Sequence, residues 1–171
     1  MKLPSKKSLI ALAVGLALSS AVTARTVFAT CDQVVDGDTF YIQIEGDDVR
    51  QRARLAGIDC PEPRQRMGSK AKANLKIFLY GKRLEVEILG RDKESEELVV
   101  LVDAEGVDPA RTQSAQGLAW LNPDDFEMMP KDKLGLYDNL IYEAQVSHWG
   151  IWKERKPDPP WVFRAKQKSY N

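Results

Sequence analysis

Two short stretches constrain this chain more than any other feature. They are Asp36-Gly37-Asp38-Thr39-Phe40 and Arg54-Leu55-Ala56-Gly57-Ile58-Asp59-Cys60-Pro61-Glu62. Each sets turn-forming residues beside a run of apolar and β-branched ones, so the charged side chains fall at the ends of short strands. Asp38 and Asp59 offer hard oxygen ligands, which suits one shared divalent cation such as Ca²⁺. The planar fork of Arg54 fits a phosphate. Glu62 is suited to take a proton from water. A cation, a phosphate clamp and a base are the parts of a phosphodiester hydrolase. Asp-Gly-Asp alone is commonly no more than a turn. It is not an EF-hand loop here, because the glycine stands between the acids and not at the sixth position.

The first 24 residues read as a segment apart from the fold. Lys2, Lys6 and Lys7 precede an apolar run from Leu9 to Leu18, and Val22-Thr23-Ala24 fits a small-residue cleavage site. Val27-Phe28-Ala29 is a second candidate. The expectation is a cleaved signal peptide over 1–24, export to the periplasm or medium, and a mature chain starting near Arg25 or near Thr30. An uncleaved anchor is the rival reading, but the apolar run falls short of the roughly 20 residues that span a bilayer. Residues 25–171 suffice for one domain with a real core. Cleavage removes three lysines and no acid, leaving 22 basic against 25 acidic residues, a net charge of about −3. Such a chain lacks the basic excess usual for non-specific duplex binding, so any contact with nucleic acid is local and cation-assisted. Export permits a disulfide between Cys31 and Cys60, but sequence does not decide it. Two cysteines and one histidine cannot build a Cys/His zinc site of the usual kind.

The pattern of elements is short strand, strand, strand, helix, two strands, helix, helix. Residues 31–35, 39–44 and 49–58 read as strands, with Arg50, Arg52 and Arg54 on one face at period two. Arg50 and Arg52 read as a solvated strand face. Met67, Ala71, Leu75, Phe78 and Leu79 recur at helical spacing, and Gly81 follows as a C-terminal glycine. Residues 83–89 alternate as a fourth strand, and Leu98 to Val102 is a buried fifth. Asp108-Pro109 suits the start of a second helix over 107–118. The polar residues 121–134 read as loop, and a third helix is expected over 137–147. The Pro157-Asp158-Pro159-Pro160 tail reads as extended. Trp149, Trp152 and Trp161 are expected to pack it onto the body. His148 is expected at the last helix end, where the dipole favours it.

The two motifs, in this order and spacing, resemble those of the staphylococcal nuclease, or thermonuclease, family over roughly residues 30 to 165. The resemblance implies an α+β fold: a five-stranded OB-type Greek-key barrel flanked by about three helices. It implies a Ca²⁺-dependent nuclease acting on DNA or RNA, single-stranded or denatured, as a monomer. It also implies roles for matching residues: Asp38, Asp59 and the backbone carbonyl of Cys60 for the metal, Arg54 for the scissile phosphate and Glu62 for the water. Threonine is frequent in the family where Cys60 stands. The family's Asp-(Arg/Lys)-Tyr-Gly-Arg loop is not kept; its ungapped match here is Asp92-Lys93-Glu94-Ser95-Glu96, with Glu96 in place of the second arginine. Lys93 keeps the basic residue and is a candidate phosphate contact, and Arg91 is a candidate replacement for the arginine. Two other readings stay open: a weakened member that binds nucleic acid or a protein partner without turnover, and an OB barrel for a non-nucleic ligand.

Overall fold

A computed structural model of the protein describes residues 25–169. The expected signal segment lies outside them. Seven strands and four helices follow in order: β1 (Arg25–Val34), β2 (Thr39–Ile44), β3 (Arg50–Leu55), β4 (Ile58–Asp59), α1 (Gly68–Leu79), β5 (Arg83–Arg91), β6 (Leu98–Asp103), α2 (Pro109–Ala115), β7 (Trp120–Leu121), α3 (Lys131–Val146) and α4 (Pro160–Lys168). Five strands close a barrel in the order β1-β2-β3-β6-β5. The β3–β6 pairing is parallel and the others are antiparallel, as in an OB-type α+β fold. Phe40, Ile42, Leu55, Leu84, Val86 and Val99 fill its interior, joined by Leu75 and Leu79 of α1. Each large apolar side chain buried this way contributes about 1.5–3 kcal/mol. In β6 five successive residues are buried, because one face lines the barrel and the other lies beneath α2.

Several elements differ from the expected pattern. β1 begins at Arg25, six residues early, and its first half pairs with β5 from Arg25↔Ile88 to Thr30↔Arg83. Ala29 in that half is fully buried, so a chain starting at Thr30 would lack part of the barrel. β3 ends at Leu55, where Gly57 (φ 80°) turns the chain out of the barrel. Ile58–Asp59 then pairs with Trp120–Leu121 in a separate two-stranded sheet. The expected loop over 121–134 holds the end of β7, a single 3₁₀ turn at Pro123–Asp125 and the first turn of α3. Its helical start was masked because Lys131, Asp132 and Lys133 carry no apolar period. The proline tail continues into α4, where Pro160 occupies the first turn and its fixed φ suits helix entry. Of the three tryptophans expected to pack the tail, Trp152 meets the fourth, Trp120, edge to face at 5.2 Å, whereas Trp149 and Trp161 are exposed. His148 adopts a left-handed φ of 55° just past α3, the conformation of a helix-terminating residue.

Candidate active site

The two motifs meet at one rim of the barrel. Thr39 opens β2 opposite Arg54 on β3, and the Leu55 N–H donates to the Asp38 carbonyl at 2.9 Å. Asp36 is the turn-former: its Oδ1 accepts from the N–H groups of Asp38 (3.1 Å) and Thr39 (2.8 Å). Gly37 permits the close approach of the motifs, since a Cβ there would lie 2.5 Å from Cys60 Cβ and 2.6 Å from Ala71 Cβ. Gln113, fully buried on α2, ties the turn to α1 by donating to the Gly37 and Ala71 carbonyls.

Asp38 is buried. Its Oδ1 accepts from the Thr39 hydroxyl at 2.9 Å, and its Oδ2 accepts from the Cys60 N–H. Burial, with Asp36 and Asp59 nearby, pushes its carboxyl well above the usual range. Asp59, on β4, is buried too, and burial raises its carboxyl although Arg164 opposes the shift. Two neighbouring desolvated carboxylates, of which Asp59 raises Asp38, make a place where an added cation is favoured. Hard oxygens in a sparse set fit Ca²⁺, which completes its shell with water. Among the described residues no group of three or more His, Cys, Asp or Glu side chains forms a metal cage. The backbone of Cys60 touches Asp38 through its N–H, and its thiol is buried. Cys31 and Cys60 are both free, so no bridge joins them.

Arg54 is nearly enclosed, 11% exposed. Its Nη1 and Nη2 each donate at 2.7 Å to the fully buried Asp125, and Nη2 also donates to Asp92 at 3.1 Å. Asp125 accepts from the Gly57 N–H as well, at 2.8 Å, which pins the turn after β3. Asp92 is held down to about 2: burial works against ionisation, but the Ser95 and Glu94 N–H groups and Arg54 outweigh it.

Glu62 lies in the turn before α1. Its carbonyl packs so closely on Gly68 that a Cβ there would lie 2.0 Å from the oxygen. Its side chain accepts from Arg164 Nη1 at 2.7 Å. Arg164, on α4, also grips both oxygens of Asp59, Nη1 at 3.2 Å and Nη2 at 2.8 Å. Asp38, Asp59 and Glu62 are therefore gathered at one rim, and Arg54 is fixed beside them. Asp125, Arg164 and Gln113 complete the arrangement and were not singled out from the sequence. Asp125 stands in the acidic run 124–127 and Arg164 in the tail, and no local pattern ties either to the motifs.

The loop before β6 holds Lys93, Glu94, Ser95 and Glu96 at the surface. Glu96 has a left-handed φ of 60°, the conformation that favours glycine. The next residue, Glu97, turns inward: it is 7% exposed and pairs with Arg52 at 2.9 Å. Arg52 is thus more than a solvated strand residue. Arg91 donates to the Glu96 carbonyl (2.8 Å) and to Gln51 (3.2 Å), not toward Arg54. A groove of about 290 Å³ begins two residues past Glu62, at Arg64, and its lining mixes charge: Arg64, Arg66 and Lys156 with Glu154 and Asp158, beside Trp120 and Phe163.

A family model described as staphylococcal nuclease homologue matches residues 52–154. The chain belongs to this family. Arg54, Asp59, Glu62 and Asp125 of this staphylococcal nuclease homologue fall inside the matched span, whereas the Asp38 turn precedes it. An uncharacterized endonuclease of Escherichia coli O157:H7 is 29% identical over 135 residues, covering 79% of this chain and 83% of that protein. An uncharacterized endonuclease of Haemophilus influenzae is 27% identical over 161 residues, 88% of this chain and 85% of the relative. The micrococcal nuclease of Shigella flexneri is 26% identical over 150 residues, 80% of each.

Proposed function

We propose that this nuclease is an exported, Ca²⁺-dependent enzyme that hydrolyses phosphodiesters of single-stranded or denatured DNA or RNA. The observation that carries the reading is the convergence of Asp38, Asp59 and Glu62 at one rim of the barrel beside a buried, pre-set Arg54. Asp38, Asp59 and the Cys60 carbonyl are the residues to hold Ca²⁺. When bound, the ion supplies Lewis-acid neutralisation of the phosphate charge. Glu62 orients the attacking water and accepts its proton. Arg54, its fork held by Asp125 and Asp92, presents fixed positive charge to the phosphate without reorganising as the reaction proceeds. Lys93, exposed beside Asp92, adds a further positive contact. The groove past Glu62 carries Trp120 and Phe163 with Arg64 and Lys156 among mixed charges, which suits a flexible single strand whose bases can stack and whose backbone can bend into it.

The test uses purified protein, denatured DNA or RNA, and either Ca²⁺ or a chelator. Cleavage that needs Ca²⁺ and is lost in Arg54→Ala supports the reading. The absence of any Arg54-dependent cleavage overturns it. One observation favours a second reading, a weakened enzyme that binds without turnover: the loop before β6 presents Glu96 and the inward Glu97 and no arginine. In that case calorimetry finds nucleic-acid binding where the assay finds no cleavage. Export is tested by N-terminal sequencing of secreted protein. A start near Arg25 supports it, and an intact Met1 terminus in the cytoplasm overturns it.

A further inference from the structure

We infer that Arg164, delivered from the C-terminal helix, is a second substrate-binding arginine of this site; the inference rests on the nuclease reading. The first reason is position. Arg164 touches the side chains of both Asp59 and Glu62, although more than a hundred residues separate it from either.

The second reason is the way its donors are spent. A guanidinium has five N–H groups on two usable edges. The Nη1–Nη2 edge of Arg164 grips Asp59, and the remaining Nη1 hydrogen goes to Glu62. Its Nε–Nη2 edge has no acceptor among the described residues. That edge has the spacing for two parallel bonds to phosphate oxygens. Arg54 differs: Nη2 already serves both Asp125 and Asp92, so the matching edge is half used.

Exposure points the same way. The Arg164 side chain is 47% exposed and that of Arg54 is 11% exposed, so a phosphate arriving from solvent meets Arg164 more readily. Charge supplies the last reason. Asp36, Asp38, Asp59 and Glu62 would together repel a phosphodiester, and the loop before β6 adds Glu97. Arg91 is turned to a backbone carbonyl and to Gln51. Arg164 brings positive charge to the carboxylates themselves. It therefore has two tasks: one edge orients Asp59 and Glu62, and the other receives the phosphate.

The test compares Arg164→Gln and Arg164→Lys with the parent, using full-length protein. It measures kcat/KM on denatured DNA and, by titration calorimetry, the affinity for a 5′-mononucleotide. Arg164→Gln is expected to lose about 10²-fold or more in kcat/KM, the scale of removing one pre-set donor to a developing charge. Mononucleotide affinity is expected to fall about tenfold. Arg164→Lys keeps the charge but not the fork, and is expected to recover only a small part of either loss. Thermal melting checks the fold, and if Arg164→Gln does not fold, Arg164→Lys is judged by the same criteria. Variants within about threefold of the parent in both measurements overturn the assignment. Faster cleavage by Arg164→Gln overturns it too, since Arg164 would then be a brake on the site. Arg54→Ala separates the two levels of argument. If the parent shows no Arg54-dependent cleavage, the nuclease reading fails; if the parent cleaves and Arg164→Gln cleaves equally, only the role of Arg164 fails.

Discussion

Asp125→Ala should be among the most damaging single substitutions in this protein. Asp125 is fully buried and accepts two bonds from Arg54 at 2.7 Å, one from the Gly57 N–H at 2.8 Å and a longer one from Asn122 Nδ2 at 3.4 Å. Truncation leaves a nearly enclosed guanidinium whose one remaining hydrogen-bonded carboxylate among the described residues is Asp92, 3.1 Å away. It also orphans the Gly57 N–H in the turn that directs the chain from β3 to Asp59. Breaking a buried ion pair by removing one partner costs about 3–5 kcal/mol. Native domains have only about 5–15 kcal/mol in total. At about 2–4 °C per kcal/mol for a chain of this size, the melting temperature should drop by about 6–20 °C. Arg54→Ala should cost a similar amount, because it strands the Asp125 carboxylate, and the double variant should cost clearly less than the sum of the two. A coupling of about 1.5–3 kcal/mol in that cycle, read from urea denaturation, is the expected signature. An Asp125→Ala loss below about 1 kcal/mol, or strict additivity with Arg54→Ala, would refute the reasoning. It would mean that the pair contributes little and that something else holds Arg54. The same cycle matters for catalysis, since an Arg54 variant must be shown folded before its lost activity is assigned to chemistry.

Gly37→Ala should destabilise by about 1–3 kcal/mol, the cost of overpacking, and should lower cation affinity in parallel, because the new methyl pushes the Asp38 turn off Cys60. Calorimetry and melting on one preparation check both effects, and a variant with parental stability would show that the motifs do not meet as described. Cys31 and Cys60 should both resist a thiol reagent in the native protein and react once it is unfolded. Both are buried, and burial pushes the Cys31 thiol up to about 11, so little thiolate is present at neutral pH; rapid native labelling of both would contradict this. Asp92 should contribute to acid stability in a defined window. Its folded pKa of about 2 lies below the ordinary 3.8, so its contribution is present above about pH 4 and is lost as pH falls toward 2. The stability gap between parent and Asp92→Asn, followed by urea denaturation, should therefore be flat above pH 5 and close on acidification. A gap independent of pH down to 2 would sink the assignment.

The sequence by itself determined what local chemistry determines. Asp36-Gly37-Asp38 before β-branched Thr39 makes a turn that enters a strand, because Asp36 can accept the next N–H groups in line. Asp108-Pro109 starts α2, with the Asp108 side chain accepting from the Arg111 N–H, as the cap-then-proline order requires. The apolar periods of α1 and of β6 likewise show their burial directly. Matching the two motifs to a known family then brought Asp38, Arg54, Asp59 and Glu62 together on paper. Which charge faces which, however, was settled only by the closed barrel. Asp125 and Glu127 look alike in one acidic run, but only Asp125 is buried against Arg54, seventy-one positions away. Glu96 and Glu97 are identical letters; the left-handed backbone at Glu96 leaves its side chain exposed and turns Glu97 in toward Arg52. Arg164 sits in mid-helix on a proline-led tail, and reaches Asp59 only because α4 folds back across the site. Partners so distant in sequence leave no periodic trace, because their pairing depends on how the strands and helices pack and not on the residues beside them.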